Sequence, residues 1–197
     1  MRKLTIDDIL DQRAYERERD QFRRYIIDLK RARRVALGPI MTIVFETTDT
    51  MRWQVQEMAR AERMMRDEQI AHEVETYNQI IPDTGELSGT LLLELTSDAD
   101  LRDWLPRLVG VERHLRVVLP DGSTVQGVPS DEDESRLTRK DTTAAVHFLK
   151  FRFAPVDVDM FASGPVHLVV DHPQYDYDVV LSEDQHAALV GDLRADA

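Results

Sequence analysis

The sequence predicts an α+β fold: a largely antiparallel sheet packed by a long central helix, with an N-terminal helical arm and a short C-terminal helix. Three observations carry that prediction. Helical periodicity dominates residues 1–80, short apolar segments separated by turn signals dominate the remainder, and the regular strand–helix alternation of a parallel doubly wound sheet is missing. Residues 1–197 read as one domain, with 1–36 as its helical arm. There is no internal repeat.

Taken in order, Thr5 followed by Asp8 caps a short helix to about Leu10, and Arg13–Arg34 reads as a longer one. Its apolar positions Tyr15, Phe22, Ile26 and Leu29 share one face. Arg23, Arg24, Lys30, Arg31, Arg33 and Arg34 crowd toward its C-terminal end, where cations suit the helix dipole and read either as a solvated end or as a docking face. Gly38-Pro39 stops the helix, and Ile40–Glu46 is β-branched and apolar enough for a strand in a buried sheet.

The central helix follows, with Thr48, Asp49 and Thr50 as alternative caps and Met51, Val55, Met58 and Met65 as its apolar stripe. The pattern weakens at Arg66-Asp67-Glu68, which predicts a bend or a further helix over Gln69–Tyr77 before Pro82-Asp83-Thr84-Gly85. Gly89–Thr96 then reads as a strand and Asp98–Leu108 as a helix that Pro106 limits. His114–Leu119 and Thr124–Val128 form a hairpin about Asp121-Gly122, a strong tight-turn signal.

Pro129–Asp141 is a polar, charge-rich loop, read as linker or as a flap. Ala144–Phe153 alternates cleanly, placing Ala145, His147, Leu149, Phe151 and Phe153 on one face. Pro155–Ala162 is a short helix, Pro165–Asp171 and Tyr177–Leu181 are strands, and Ser182 opens a capping box for the last helix, to about Leu193.

Composition narrows the function classes. The net charge is −12, and a surface so acidic repels a phosphate backbone, so no general nucleic-acid binding is expected. Residues 1–36 nevertheless carry a local net +4, leaving −16 for the rest. The absence of cysteine excludes disulfides, thiol nucleophiles and cysteine-ligated zinc or iron–sulphur centres. No run approaches the roughly 18 apolar residues of a membrane span, and the start lacks a signal-peptide pattern, so a cytoplasmic protein without membrane attachment is expected.

No phosphate loop, dinucleotide fingerprint or nucleophile elbow is present. Chemistry must therefore come from polar residues set among apolar ones. Glu46 ends a strand, Gln54, Glu57 and Arg60 share a helical surface, Glu94 lies in a strand, and His147 sits in an apolar alternation. Carboxylate and imidazole together suit iron, manganese or zinc, which makes Glu46, Glu57, His147 and His172 candidate metal ligands. Glu57, Arg60, His147, His172 and Tyr175 are the candidate catalytic groups. The same residues also read as a structural network fixing helix to sheet. Glu68 and His72 sit four apart on a charged, exposed surface, and the Glu-x-x-His spacing of di-iron bundles is absent. Proline after His172 restricts it to extended geometry and aims its ring, either for function or for a packed turn.

Seven stretches, RRVALGP at 33–39, FETTDT at 45–50, QVQEMARAER at 54–63, ETYNQIIP at 75–82, LSGTLLLEL at 87–95, TTAAVHFLKF at 142–151 and DHPQY at 171–175, resemble the bacterial domain of unknown function 3501 family, in order and over nearly the whole chain. Glu46, Gln54, Glu57, Arg60, Glu62, Arg63, Tyr77, Asn78, His147, His172 and Tyr175 fall in the matching motifs, whereas Thr47 stands where the resemblance implies Asn. The resemblance implies no activity. It does imply a genomic neighbourhood of rubrerythrin-like and CCG-type iron–sulphur oxidoreductase proteins, and hence a redox or peroxide-stress partner.

Two functions follow as expectations. One is an accessory protein that binds such a redox protein through the basic N-terminal helix and the flank of the sheet. The other is a metal-dependent oxidoreductase or ligand-binding enzyme built on the Glu/His set. Exposed apolar strand faces are compatible with a homodimer.

Overall fold

The computed structural model describes residues 1–130 and 141–195. After a single 3₁₀ turn at Ile6–Asp8, the elements are α1 (Gln12–Arg31), β1 (Arg34–Ala36), β2 (Met41–Phe45), α2 (Thr48–Ala61), α3 (Asp67–Asn78), β3 (Glu86–Leu93) and α4 (Asp98–Arg107). A second 3₁₀ turn at Val111–Arg113 leads to β4 (Leu115–Val118), β5 (Thr124–Pro129), β6 (Val146–Arg152), α5 (Pro155–Ser163), β7 (His167–His172), β8 (Tyr175–Val180) and α6 (Glu183–Arg194). The fold is α+β as predicted. Residues 131–140 of the charged loop, linker or flap in the sequence reading, lie outside the described residues.

All eight strands join one sheet in the order β1-β2-β3-β6-β5-β4-β7-β8, and every pairing is antiparallel. Period-2 alternation divides its faces. The inner face supplies Met41, Ile43 and Phe45 of β2, Leu87 and Leu91 of β3, Leu149 and Phe151 of β6, Leu115 and Val117 of β4 and Leu168 and Val170 of β7 to one buried core, which Phe161 of α5 and Leu189 and Leu193 of α6 complete. Burial of each such side chain offers about 1.5–3 kcal/mol against the entropy of ordering the chain. A smaller cluster of Leu4, Met51, Val55, Val74, Ile80 and Ile81 packs α2 and α3 together, with Phe148 from the outer face of β6 against it.

The sheet curls until its edges meet, and side chains close it. The Tyr175 hydroxyl at the start of β8 donates to the Leu37 carbonyl at 2.6 Å and accepts from the Ile40 amide at 3.3 Å, bridging to the β1–β2 turn. Gly38 makes this approach feasible: its φ is +78°, and a Cβ there would stand 2.6 Å from the Tyr175 hydroxyl. Behind the seam, Gln185 of α6 donates to the Arg34 carbonyl, and Arg33 forks onto Asp192 with two bonds of 2.8 Å.

Several sequence expectations shift. The helix predicted to reach Arg34 stops at Arg31, because residues 34–36 pair with β2 and the Phe45 amide binds the Arg33 carbonyl. The longest helix is α1, with 20 residues, and not the central one, since α2 ends at Ala61 after 14 residues. There Arg63 takes a left-handed φ of 52°, which breaks the helical path. The apolar stripe of α2 is Met51, Val55 and Ala59; Met58 is half-buried and Met65 lies beyond the helix, exposed. Thr47, not Thr48–Thr50, is the N-cap, accepting from the Thr50 amide while the Thr50 hydroxyl accepts from the Thr47 amide. β3 begins at Glu86 and stops at Leu93, leaving Glu94 just past its end.

Candidate functional site

The densest polar chemistry lies where the N-terminal segment, α1, α2 and α3 meet. Thr48, Arg52 and Gln56 recur every four residues along α2, so they stand on one helical stripe beside the buried Met51–Val55–Ala59 stripe. Each reaches the main chain of residues 2–10. Thr48 donates to the Arg2 carbonyl at 2.6 Å, Arg52 to the Asp8 carbonyl at 3.0 Å, and the Gln56 amide both accepts from the Leu10 amide at 3.0 Å and donates to the Leu10 carbonyl at 2.9 Å. Asn78, the last residue of α3, grips Leu4 in the same two-bond manner, at 2.7 and 2.9 Å.

The next residue after Gln56, Glu57, joins α2 to α1. It accepts from the Tyr15 hydroxyl at 2.6 Å and takes a two-pronged grip from Arg19, at 2.8 and 2.9 Å. The Arg19 hydrogen bond is the main reason its carboxyl titrates below the ordinary glutamate range, with the Tyr15 hydroxyl adding to it against the opposing effect of burial. Burial, and then the Glu57 acceptor, push the Tyr15 phenol above its ordinary value. Arg60 pairs with Glu16 at 2.6 Å. Trp53 fills the same interface, edge-on to Tyr15 and Phe22.

Beside these clamps runs a groove of about 930 Å³. Ile6, Ile9 and Leu10 line one wall, Ala59, Met64, Met65 and Ile70 the other, and Arg13, Arg17, Arg60, Asp7, Glu16 and Asp67 stand among them. Met65, at the α2–α3 turn, is 77% exposed.

The residues singled out in the sequence occupy separate places. Glu46 is on the outer face of the sheet, where Thr90 donates to it at 2.6 Å and Lys30 stands 3.9 Å away. His147 is on the inner face of β6 and wholly buried; its Nε2 lies 3.0 Å from both the Thr143 hydroxyl and the Ala144 carbonyl, which puts a proton on Nε2 and leaves Nδ1 without a hydrogen-bond partner. His172 faces the Val109 carbonyl through Nε2 at 3.2 Å and accepts from the Gln174 amide, its ring edge-on to His114. Tyr175 closes the sheet seam, and burial raises its phenol above the ordinary range. Glu57 and Arg60 belong to the α1–α2 contact. Thus Glu46, Glu57, His147 and His172 share no partner, and among the described residues no group of three or more His, Asp or Glu is arranged to hold a metal ion.

Two further readings change. The basic run on and after α1 is largely spent on acids: Arg33 on Asp192, Arg34 on Glu94, Arg31 on Asp28 and Lys30 toward Glu46. Gln54 is only half-buried, whereas Gln56, which the sequence reading passed over, is 2% exposed. The signal that could have found it is the four-residue spacing of Thr48, Arg52 and Gln56. No helix among the described residues is long and apolar enough to cross a membrane.

A family model described as a protein of unknown function (DUF3501) matches residues 3–193. A crystal structure of a novel protein of unknown function from Burkholderia pseudomallei K96243 superposes with a TM-score of 0.89, is 30% identical in sequence, and covers 98% of this chain and 100% of its own. No curated protein matches.

Proposed function

We propose, for a chain that belongs to the DUF3501 family of proteins of unknown function, that it is a non-catalytic accessory protein whose groove between the N-terminal segment, α1, α2 and α3 docks a protein partner. The observation that carries this reading is Met65, 77% exposed on the rim of a groove of about 930 Å³. A flexible thioether left in water at the mouth of a groove of mixed apolar and charged walls suits an adaptable binding surface. Two of the titratable groups at or beside it hold helices together, Glu57 with Tyr15 and Arg19, and Arg60 with Glu16. The groove is a better docking place than the basic run, most of whose cations already face carboxylates. The partner's class, an iron–sulphur oxidoreductase or a rubrerythrin-type protein of redox or peroxide stress, comes from the genomic neighbourhood that the family resemblance implies.

The test is purification of the chromosomally tagged protein from its native cells at moderate salt. The expected result is co-purification of an iron–sulphur or rubrerythrin-type protein with the wild type and its loss with Met64→Glu/Met65→Glu. Recovery of no redox protein, or equal recovery with the double variant, overturns the reading.

A further inference from the structure

Arg13, Arg17 and Arg24 of α1 follow one another at intervals of four and seven residues, so they stand on one line along the helix, spanning about 16 Å. All three are exposed, and among the described residues none of their side chains makes an ion pair or a hydrogen bond. Asp20 lies within one turn of Arg17 and Arg24 and is bonded to neither. Arg19, Arg33 and Arg34, by contrast, are each held by a carboxylate. A line of unanswered cations stands out in a chain whose net charge is −12.

Arg13 and Arg17 also line the groove, and Arg24 continues their line out of it. Apolar surface continues with them. Ile27, eleven residues beyond the groove-lining Glu16 and hence on the same face of α1, is 52% exposed. The acids of the groove do not cancel these cations: Glu16 is taken by Arg60 at 2.6 Å, and Asp7 and Asp67 belong to the N-terminal segment and to α3. The α1 side is therefore a rail of positive charge beside exposed apolar side chains, Ile27 along the helix and Met65 on the groove's rim.

We propose that the partner presents to this groove an amphipathic helix, apolar on one face and lined with carboxylates on the flank that meets α1. This rests on the groove being a docking place and adds the chemistry of what docks there. A helix fits because the walls are α1, α2, α3 and the N-terminal segment, so an extended peptide finds no strand edge to join. Carboxylates fit because each of the three arginines offers them an unoccupied guanidinium fork. A nucleic-acid strand does not fit. Residues outside 1–36 carry −16 and repel it, and a phosphate backbone leaves the apolar walls in water.

The probe is a fluorescein-labelled synthetic helix of about 18 residues, with leucine on one face, glutamate on one flank and glutamine on the other, titrated with the full-length protein by fluorescence anisotropy. Matched probes carry glutamine or lysine in place of the glutamates. The glutamate probe is expected to bind about tenfold more tightly than the glutamine probe at low salt, with the gap closing as salt is raised. Arg13→Glu/Arg17→Glu/Arg24→Glu is expected to lose the glutamate probe and gain the lysine probe, a gain that only a folded variant can show. Met65→Ser is expected to weaken the glutamate and glutamine probes alike. Equal binding of those two probes, or a triple variant that does not reverse the preference, overturns the acidic partner while leaving the groove as a docking place. Unchanged binding to Met65→Ser puts the helix elsewhere and overturns the proposal, as does failure of every probe to bind; the co-purification experiment then judges the groove separately. Tighter binding of a single-stranded oligonucleotide or of phosphatidylserine vesicles than of the glutamate probe overturns it as well.

Discussion

Asn78 and Leu4 pair through two hydrogen bonds, 2.7 and 2.9 Å, in which a side-chain amide stands where a neighbouring strand's peptide would. Asn78→Ala leaves the amide and carbonyl of Leu4 unsatisfied in a half-buried setting, at a cost of about 1–3 kcal/mol to the docking of residues 2–10. Amide hydrogen exchange at Leu4 and Thr5 is expected to accelerate accordingly while β3 and β6 keep their protection. Unchanged exchange at Leu4 would show that the clamp contributes nothing.

Glu57 gives the α1–α2 contact a pH dependence of known sign. Its folded-state pKa lies below the ordinary glutamate value of 4.5, so as pH falls the unfolded chain takes up the proton first. The stability contributed by Glu57 is complete above that ordinary value and disappears as pH falls through the folded-state value. Wild type and Glu57→Gln, compared by denaturant unfolding, are expected to differ most near neutrality and to converge in acid. A gap that widens in acid contradicts the assignment.

The seam around Gly38 admits a matched comparison. Gly38→Ala meets both a left-handed backbone and the Tyr175 and Tyr177 side chains, whereas Gly122→Ala has φ of +86° and nothing within 4 Å of the new Cβ. Backbone strain of about 1 kcal/mol is common to both, so the excess loss in Gly38→Ala isolates the steric contact. We expect Gly38→Ala to cost at least twice as much, read from the denaturation midpoint, and equal losses would remove the contact from consideration.

Elemental analysis separates the accessory role from the metal-dependent one. Glu46 lies on the outer face of the sheet and His147 on the inner, and Glu57 and His172 have partners of their own. Protein purified without chelator is therefore expected to carry no stoichiometric iron, manganese or zinc. One equivalent of any of them would reinstate the metal reading.

Where local chemistry decided the outcome, the sequence was legible. The alternation over β6, the Asp121-Gly122 hairpin and the Ser182 capping box all mark elements that formed within a residue or two of their expected ends. What depended on distant partners was not. A strand as short as Arg34–Ala36 has no periodicity of its own and exists because β2 pairs with it. The break after Ala61 rests on one left-handed arginine, a conformation that residue type does not announce. At the site, Arg60 was the nearest cation on the Glu57 surface, yet Arg19, 38 residues upstream, holds the carboxylate. Spacing reports who shares a helix face, and helix pairing is settled elsewhere.

The seam also sets a clock. The Arg33–Asp192 fork spans 159 residues, and Tyr175 reaches back 138 to Leu37, so the ribosome must deliver the chain past residue 175 before the sheet can shut. Until then β1 waits with one flank open, and contacts of such long range are slow to form. A nascent chain stalled before residue 175 would hold an unfinished sheet, the species on which chaperones would act.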